Sequence, residues 1–171
     1  AYLGLVHRLD RPAGGAMVFA RTSKAAARLT SAFQRHDLEK IYLAVVRGEI
    51  AQPGALNDYL IKGADGMVRV ASPGEPGAKE ARLTYKPVAH AKGLTLVEVS
   101  LETGRPHQIR VQFSNAGRPL WGDNRYGGGA PGEQLALWSH RLTIPHPTKP
   151  ERLTFVSDPP RSGAWALFGH A

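Results

Sequence analysis

Strand-forming segments dominate this chain and constrain it to a fold built on a sheet. Short stretches rich in β-branched and aromatic residues recur along the sequence, several with alternating apolar and polar side chains. They predict strands at residues 15–21, 39–50, 55–61, 67–71, 81–88, 94–102, 135–144 and 151–157. Residues 51–80, rich in Gly, Pro and Asp, predict an excursion of hairpins and loops. The series predicts a strand-rich α+β domain without fixing the strand order.

Two segments have helical spacing. In the first, Thr22 or Ser23 caps a helix that runs to about residue 36. Its apolar face consists of Ala25, Ala26, Leu29 and Phe33. The second covers residues 103–117, with Pro106 in the first turn and Gly117 just past the end. Its apolar face consists of Ile109, Phe113 and Ala116, beside a polar face of His107, Arg110 and Ser114.

Length and composition predict one domain over residues 1–171. With 42% hydrophobic residues the chain can bury a core, and no apolar stretch approaches the roughly 18 residues of a membrane span. The start of the chain lacks the basic region of a signal peptide. Without cysteine, disulfides and thiolate metal sites are excluded, and a cytoplasmic location is expected.

The chain is strongly basic, with a formal net charge of +8 and an isoelectric point near 10.1. This balance predicts an anionic partner, with nucleic acid ahead of an anionic membrane. The basic residues are spread along the chain, which argues against a disordered basic tail. No acidic or thiolate partners stand at ligand spacing from His7, His107, His140 or His146, so no metal is assigned.

The segment HRLDRPAGG (residues 7–15) places one acid, Asp10, among Arg8, Arg11 and His7. Neighbouring arginines would keep the carboxylate ionised, and an ionised, positioned aspartate can act as a nucleophile or a base. The same segment also fits a surface turn with an Asp–Arg ion pair. By itself it leaves both readings open.

Two further segments carry candidate functional side chains. TGRPHQIRVQ (residues 103–112) gathers Arg105, His107 and Arg110 at a helix start, which would attract a phosphate or present a solvated basic face. KIYLAVVRG (residues 40–48) is a strand whose alternation puts Lys40, Tyr42 and Ala44 on one face. Tyr42 could stack on a base or lie in the core.

Together these segments resemble the RluA family of pseudouridine synthases. HRLDRPAGG is similar to the family signature HRLDRxTSG, and KIYLAVVRG to the strand KxYxAxVxG. LVEVSLETGRPHQIRVQFSNAGRPLWGDNRYGG resembles the longest signature, which ends in GDxxYG, and LWSHRLTIPHPTKPERLTF resembles the closing element. The matches follow the family's order and cover most of residues 3–157.

The resemblance implies a mixed, largely antiparallel sheet with a central RNA-binding cleft. It implies an enzyme that isomerises specific uridines of structured ribosomal or transfer RNA without a cofactor. Asp10 would be the catalytic aspartate, Arg110 its partner and Tyr42 the active-site tyrosine, while Arg8 would hold the target nucleotide out of the stack. The further candidates for substrate binding are Arg11, Arg105, His107 and Gln108.

The chain departs from the family pattern at several points. Ala13 and Gly14 replace the usual Thr and Ser, which is expected to loosen that turn, and Trp138 stands where many relatives have His. The chain begins six residues before His7, where relatives have a further strand, so the domain looks truncated. We expect no accessory RNA-binding domain, and a monomer that can associate through an unpaired sheet edge.

Two other functions stay open from the sequence. One is an RNA-binding protein of the same fold with weakened catalysis, although RNA binding alone does not require a buried carboxylate. The other is a hydrolase that uses Asp10 on a nucleoside or glycoside. Glycosidases generally use two carboxylates, and no second acid in the four matching segments is expected to serve.

Overall fold

The computed structural model describes residues 1–169, which form ten strands, two α-helices and one short 3₁₀ helix. The strands are β1 Gly4–Leu5, β2 Gly14–Gly15, β3 Phe19–Ala20, β4 Glu39–Arg47, β5 Gly54–Lys62, β6 Val68–Ala71, β7 Lys79–Ala91, β8 Leu94–Leu101, β9 Leu137–Pro145 and β10 Arg152–Val156. The helices are α1 Ser23–Gln34, α2 Gln108–Asn115 and the 3₁₀ helix Gly163–Leu167.

One large sheet organises the fold. Its strand order is β10-β9-β4-β8-β7-β5-β6, and every neighbouring pair in this path is antiparallel. The short β2 runs parallel to β9, and β1 pairs with β3 in a separate ribbon. The expected mixed, largely antiparallel α+β architecture is confirmed.

Two sequence predictions of strands need correction. The hairpin of β5 and β6 is not an excursion, because β5 pairs with β7 and extends the main sheet. Residues 15–21 do not form one strand. Gly15 has a φ of 121°, and beyond it the chain leaves β9 and pairs with β1 instead.

The alternating side chains of the central strand β4 face two cores. Ala44 and Val46 pack with Phe113 of α2 on one face of the sheet. Val45 packs with Trp165 of the 3₁₀ helix on the other face. Because α2 lies directly on the first core, any residue on its outer face is held rigidly against the sheet.

Helix α1 forms as its sequence predicts, with an end slightly earlier than expected. The Thr22 side chain accepts a hydrogen bond from the Ala25 N–H at 3.1 Å and caps the start. Leu29 is buried, and Phe33 packs into the same apolar cluster against β9. The helix therefore lies along one side of the segment that contains Asp10.

His7 anchors that segment. Its Nε2 accepts a hydrogen bond from the Val18 N–H at 2.9 Å, and its ring stacks on Phe33 with 4.7 Å between centroids. Burial, together with the nearby charge of Lys40, lowers the pKa of His7 to about 4. The imidazole is therefore neutral at pH 7 and serves as a fixed acceptor.

This neutral imidazole makes stability depend on pH. Between pH 6.5 and about 4 the unfolded chain binds a proton at His7 that the folded chain excludes, so stability present above pH 6.5 is lost as pH falls to about 4. His7→Gln keeps an acceptor for Val18 and removes the titration. Between pH 7 and 4.5 we expect the free energy of unfolding to fall on the order of 1–2 kcal/mol more in the wild type than in the variant. This figure allows for solvent screening of the charge on the imidazole. Urea unfolding at both pH values measures this, and parallel losses would contradict it.

Candidate active site

A cleft of about 700 Å³ opens between the segment around Asp10, helix α1 and the loop before α2. Its walls bring together parts of the chain that are far apart in sequence. They include Val6, His7, Arg8, Leu9, Asp10, Arg11, Phe33, Lys40, Tyr42, Lys62, Leu101, Arg105, His107 and Gln108. All the predicted site residues except Arg110 line the cleft, and Arg110 contacts it through Asp10.

The turn after Asp10 is firmly held. The Asp10 carbonyl accepts a hydrogen bond from the Ala13 N–H at 2.8 Å, and Gln134 donates to the Pro12 carbonyl at 2.7 Å. The Asp10 carboxylate lies 3.6 Å from Arg110, with 20% of the side chain exposed. A largely buried carboxylate beside a guanidinium is held in place, yet it can still be reached from the cleft.

Arg110 is buried, with 6% of its side chain exposed, and it forms a salt bridge with Asp123. Its Nε and Nη2 donate to the two Asp123 carboxylate oxygens at 2.9 and 2.8 Å. Burial acts to lower the pKa of Arg110, but the hydrogen bond and charge of Asp123, with a further contribution from Asp10, raise it. The guanidinium is therefore permanently charged and fixed, with Nη1 directed to Asp10.

Asp123 was not assigned a role from the sequence, although the signal was present in GDNRYGG. Its side chain is 1% exposed, and one oxygen also accepts the N–H groups of Arg125 and Tyr126 at 3.2 and 3.0 Å. An acid of the matching segments other than Asp10 therefore lies close to the cleft, held by Arg110. Its oxygens are taken up by Arg110 and the backbone, so it positions Arg110 and is not available to a substrate.

The polar face predicted for α2 exists, but it is not solvated. Ser114 donates to the Tyr126 carbonyl at 2.5 Å, and the Arg110 guanidinium lies 5.1 Å from the centre of the Tyr126 ring. His107 meets the Tyr126 hydroxyl at 2.6 Å. Tyr126, a second residue without a role from the sequence, therefore braces all three side chains of this face.

The hydroxyl of Tyr126 ties His107 to the rest of the cleft wall. The hydroxyl oxygen accepts the Val68 N–H at 3.1 Å and lies 2.6 Å from Nδ1 of His107. Burial is the main cause that lowers the pKa of His107, outweighing the opposing charge of Asp10. His107 lines the cleft, where a substrate can reach it.

Tyr42 lies deep in the cleft on the same face of β4 as Ala44. Burial, followed by the charge of Asp10, raises the pKa of Tyr42 to about 12. The phenol therefore remains protonated at neutral pH. It offers a flat ring and a hydroxyl donor, and both predicted surroundings apply, since Tyr42 packs on the core and faces the cleft.

Gln108, a predicted substrate-binding residue, makes its hydrogen bonds within the protein in this structure. Its Oε1 accepts the Thr103 hydroxyl at 2.7 Å and the Arg105 N–H at 3.0 Å, and its Nε2 donates to the Arg82 carbonyl at 3.1 Å. These bonds fold the loop before α2 and leave the amide little capacity for RNA. Helix α2 starts at Gln108, later than the sequence predicts, because His107 adopts a left-handed φ of 56°.

The outer cleft is rich in cations. The Lys and Arg residues among its walls are Arg8, Arg11, Lys40, Lys62 and Arg105, while Asp10 is the one acid among the walls that the structure describes. Arg8 and Arg11 are exposed, as an RNA contact requires. Leu9 is half-buried and lines the cleft together with Arg8 and Asp10, because residues 6–10 are not part of a strand and do not alternate.

Two departures from the family pattern compensate each other. Gly14 pairs with Trp138 in the parallel β2–β9 register, and a Cβ at position 14 would collide with the indole ring. The larger ring on β9 thus requires the smaller residue in the turn. The turn is not loosened as expected, since its hydrogen bonds and the indole hold it closed.

Within residues 1–169, no group of three or more His, Asp or Glu side chains could hold a metal ion. In the same part of the chain, no helix has the length and apolar character needed to cross a membrane.

The buried ion pair between Asp123 and Arg110 predicts that a substitution of Asp123 strongly lowers the free energy of unfolding. Asp123→Asn removes half of a buried ion pair and leaves the guanidinium with Asp10 alone. We expect the free energy of unfolding to fall by about 3–5 kcal/mol, measured by urea denaturation. Asp158→Asn is the matched control, because that side chain is 84% exposed and the charge change is the same. Equal losses in the two variants would show that Asp123 does not hold the site together.

Known proteins with the same organisation are pseudouridine synthases. Residues 1–115 match the family described as RNA pseudouridylate synthase. The ribosomal large subunit pseudouridine synthase D of Vibrio cholerae is 34% identical over 172 residues, covering 92% of this chain and 52% of that protein. The tRNA pseudouridine synthase C of Vibrio parahaemolyticus is 33% identical over 169 residues, covering 86% and 68%.

A solved structure supports the fold. Human RNA pseudouridylate synthase domain containing 1 superposes with a TM-score of 0.84 at 23% identity, covering 98% of this chain and 74% of that one. The chain spans about half the length of the first curated relatives it matches, from 49% to 53%. On the family match and the relatives together, this chain belongs to the RNA pseudouridylate synthase family, and its resemblance to the RluA members is confirmed.

Proposed function

We propose that this chain isomerises specific uridines to pseudouridine in structured ribosomal or transfer RNA, with Asp10 as the catalytic residue. The observation that carries the proposal is the Asp10 carboxylate, which faces a cationic cleft while a buried, doubly anchored Arg110 lies 3.6 Å behind it. Relatives are named for ribosomal and for transfer RNA, so both substrate classes are retained.

The shape and charge of the cleft favour a nucleotide turned out of its helix. The glycosidic bond is out of reach of a side chain while the base stays stacked, so the uridine has to be extruded. A cleft of about 700 Å³ has room for a nucleoside. The Lys and Arg residues around it would contact the phosphates on either side, which makes folded RNA a better fit than a free base.

The isomerisation requires no cofactor and no metal, because no atom and no electron is gained or lost overall. The N1–C1′ bond breaks, the uracil turns, C5 bonds to C1′, and the proton lost from C5 is matched by one gained at N1. Asp10 either attacks C1′ or removes the C2′ proton to give a glycal. Both routes require the ionised carboxylate, which Arg110 stabilises from its fixed position.

The other site residues have roles that their chemistry supports. Tyr42, a neutral phenol, would stack on the extruded uracil and assist the proton transfer at C5. His107 would form a hydrogen bond with the substrate, while Arg11 and Arg105 would contact phosphates. Arg8 would fill the gap that the extruded base leaves in the RNA.

The two competing functions fit the site less well. A protein that only binds RNA gains nothing from an aspartate held against an arginine in a cationic cleft, because the carboxylate repels phosphate. A hydrolase would require a second carboxylate, and the bidentate bond to Arg110 commits Asp123 elsewhere. We further propose that residues 1–171 act as one catalytic domain, in the cytoplasm and as a monomer.

The products made from RNA distinguish these functions. The protein is incubated with bulk ribosomal and transfer RNA from a strain that lacks it, and the RNA is digested and its nucleosides separated. We expect new pseudouridine and no release of uracil. Free uracil would show a hydrolase, and neither product would leave an RNA-binding protein.

Asp10→Asn is expected to abolish this activity, because the amide is isosteric but neither nucleophilic nor basic. The fold is preserved, and RNA binding is retained because the cationic walls are unchanged. Single-turnover isomerisation and RNA affinity are measured side by side, with Asp158→Asn as a control for charge. A variant that kept a tenth of the wild-type rate would disprove the catalytic assignment.

Arg8→Ala separates two roles for an exposed arginine at the cleft. If Arg8 fills the place of the extruded uridine, it matters only where the base starts stacked, since unstacking costs a few kcal/mol. We expect a much larger loss of single-turnover rate on a stem-loop than on the same target in an unstructured strand. Equal losses would contradict the role in base extrusion and leave Arg8 with a general electrostatic contribution only.

A further inference from the structure

We propose that the Lys40 ammonium binds a phosphate group that flanks the extruded uridine, from a position that the absence of a side chain at Gly104 leaves open. This inference rests on the proposed function, because it assigns a subsite within the same cleft. It assigns one cation of the cleft wall to one phosphate, beside the target nucleotide.

Lys40 is a cation without a countercharge among residues 1–169. It lies near the start of β4, half-buried, with its side chain on the cleft wall. Among the described residues, its ammonium forms no ion pair with a carboxylate and no hydrogen bond. Desolvation lowers its pKa, and no neighbouring acid opposes this shift. Withdrawing a charge from water without a partner is unfavourable, so the site is suited to an anionic ligand.

Gly104 supplies the space in which this ammonium lies. A Cβ built at position 104 would stand 2.5 Å from Nζ of Lys40. Gly104 does not have the left-handed φ that would call for glycine on backbone grounds, unlike Gly117 at the end of α2 with a φ of 74°. A side chain at position 104 would therefore move the flexible end of Lys40 away from the place it has in this structure.

A phosphate is the ligand that this site fits. The phosphates are the only fully charged groups that an RNA nucleotide presents, and a lysine ammonium is a compact point charge suited to them. The other cations of the cleft differ from Lys40. Arg8, Arg11 and Lys62 are exposed, and Arg105 donates to the Glu80 carbonyl at 2.8 Å. Among these five cations, only Lys40 is both half-buried and without a hydrogen-bond partner in the described part of the chain. Its charge is close enough to lower the pKa of His7.

The test uses small probes that undergo no reaction. Uridine, uridine 3′-monophosphate and uridine 5′-monophosphate are titrated into the protein at low ionic strength, and binding is followed by NMR shift changes. We expect the better of the two nucleotides to bind the wild type about tenfold tighter than uridine, as one charged hydrogen bond provides. Lys40→Met should remove that preference, and Lys62→Met, an exposed cation of the same cleft, should retain at least half of it.

Gly104→Ala provides an independent variant, because it displaces the ammonium and keeps its charge. It should weaken nucleotide preference severalfold in the wild type and have no further effect in Lys40→Met. This cycle also tests the proposal if Lys40→Met folds poorly. Asp10→Asn should keep the preference, so the result does not depend on catalysis.

Three results would overturn the proposal. They are equal binding of uridine and both nucleotides by the wild type, a phosphate preference that survives Lys40→Met, and losses from Gly104→Ala that are the same with and without Lys40. If the protein makes no pseudouridine but its phosphate preference depends on Lys40, the proposed function fails while the subsite stands.

Discussion

A buried arginine links two aspartates from distant parts of the chain, and the geometry of the cleft depends on it. Arg110 of α2 is bound bidentately to Asp123 and lies 3.6 Å from Asp10. A guanidinium in a buried site requires such partners, because an unpaired charge there would be strongly destabilising. The same requirement fixes the loop of Asp123 and the turn of Asp10 against one helix.

The rest of the site is built around this link. The helix packs through Phe113 on the sheet, so Arg110 cannot move away. His7 ties the segment before Asp10 to α1, and Tyr126 braces the opposite side through His107. These tethers are hydrogen bonds and ring contacts, and they hold the walls in place without using the Lys and Arg side chains of the cleft.

Local patterns predicted the elements, while the partners of side chains required the fold. Alternation and helix caps were sufficient for β4, for β8 and for α1, because burial on one face dictates the spacing of apolar residues. The two motifs that contain Asp10 and Arg110 predicted their pairing through resemblance. The hydrogen-bond partners of Asp123 and Gln108 were not predictable, since an acid or an amide near a loop gives no sign of whether it meets protein or substrate until the chain is folded.

The account is tested most directly by the single-turnover rate of Arg110→Lys. A lysine keeps the positive charge but lacks the fork that binds Asp123 and reaches Asp10 at the same time. We expect a rate about 100-fold below wild type, because the Asp10 carboxylate is no longer held in place. The affinity for RNA should stay nearly unchanged. A folded Arg110→Lys protein with close to the wild-type rate would contradict it, since charge alone would then be sufficient.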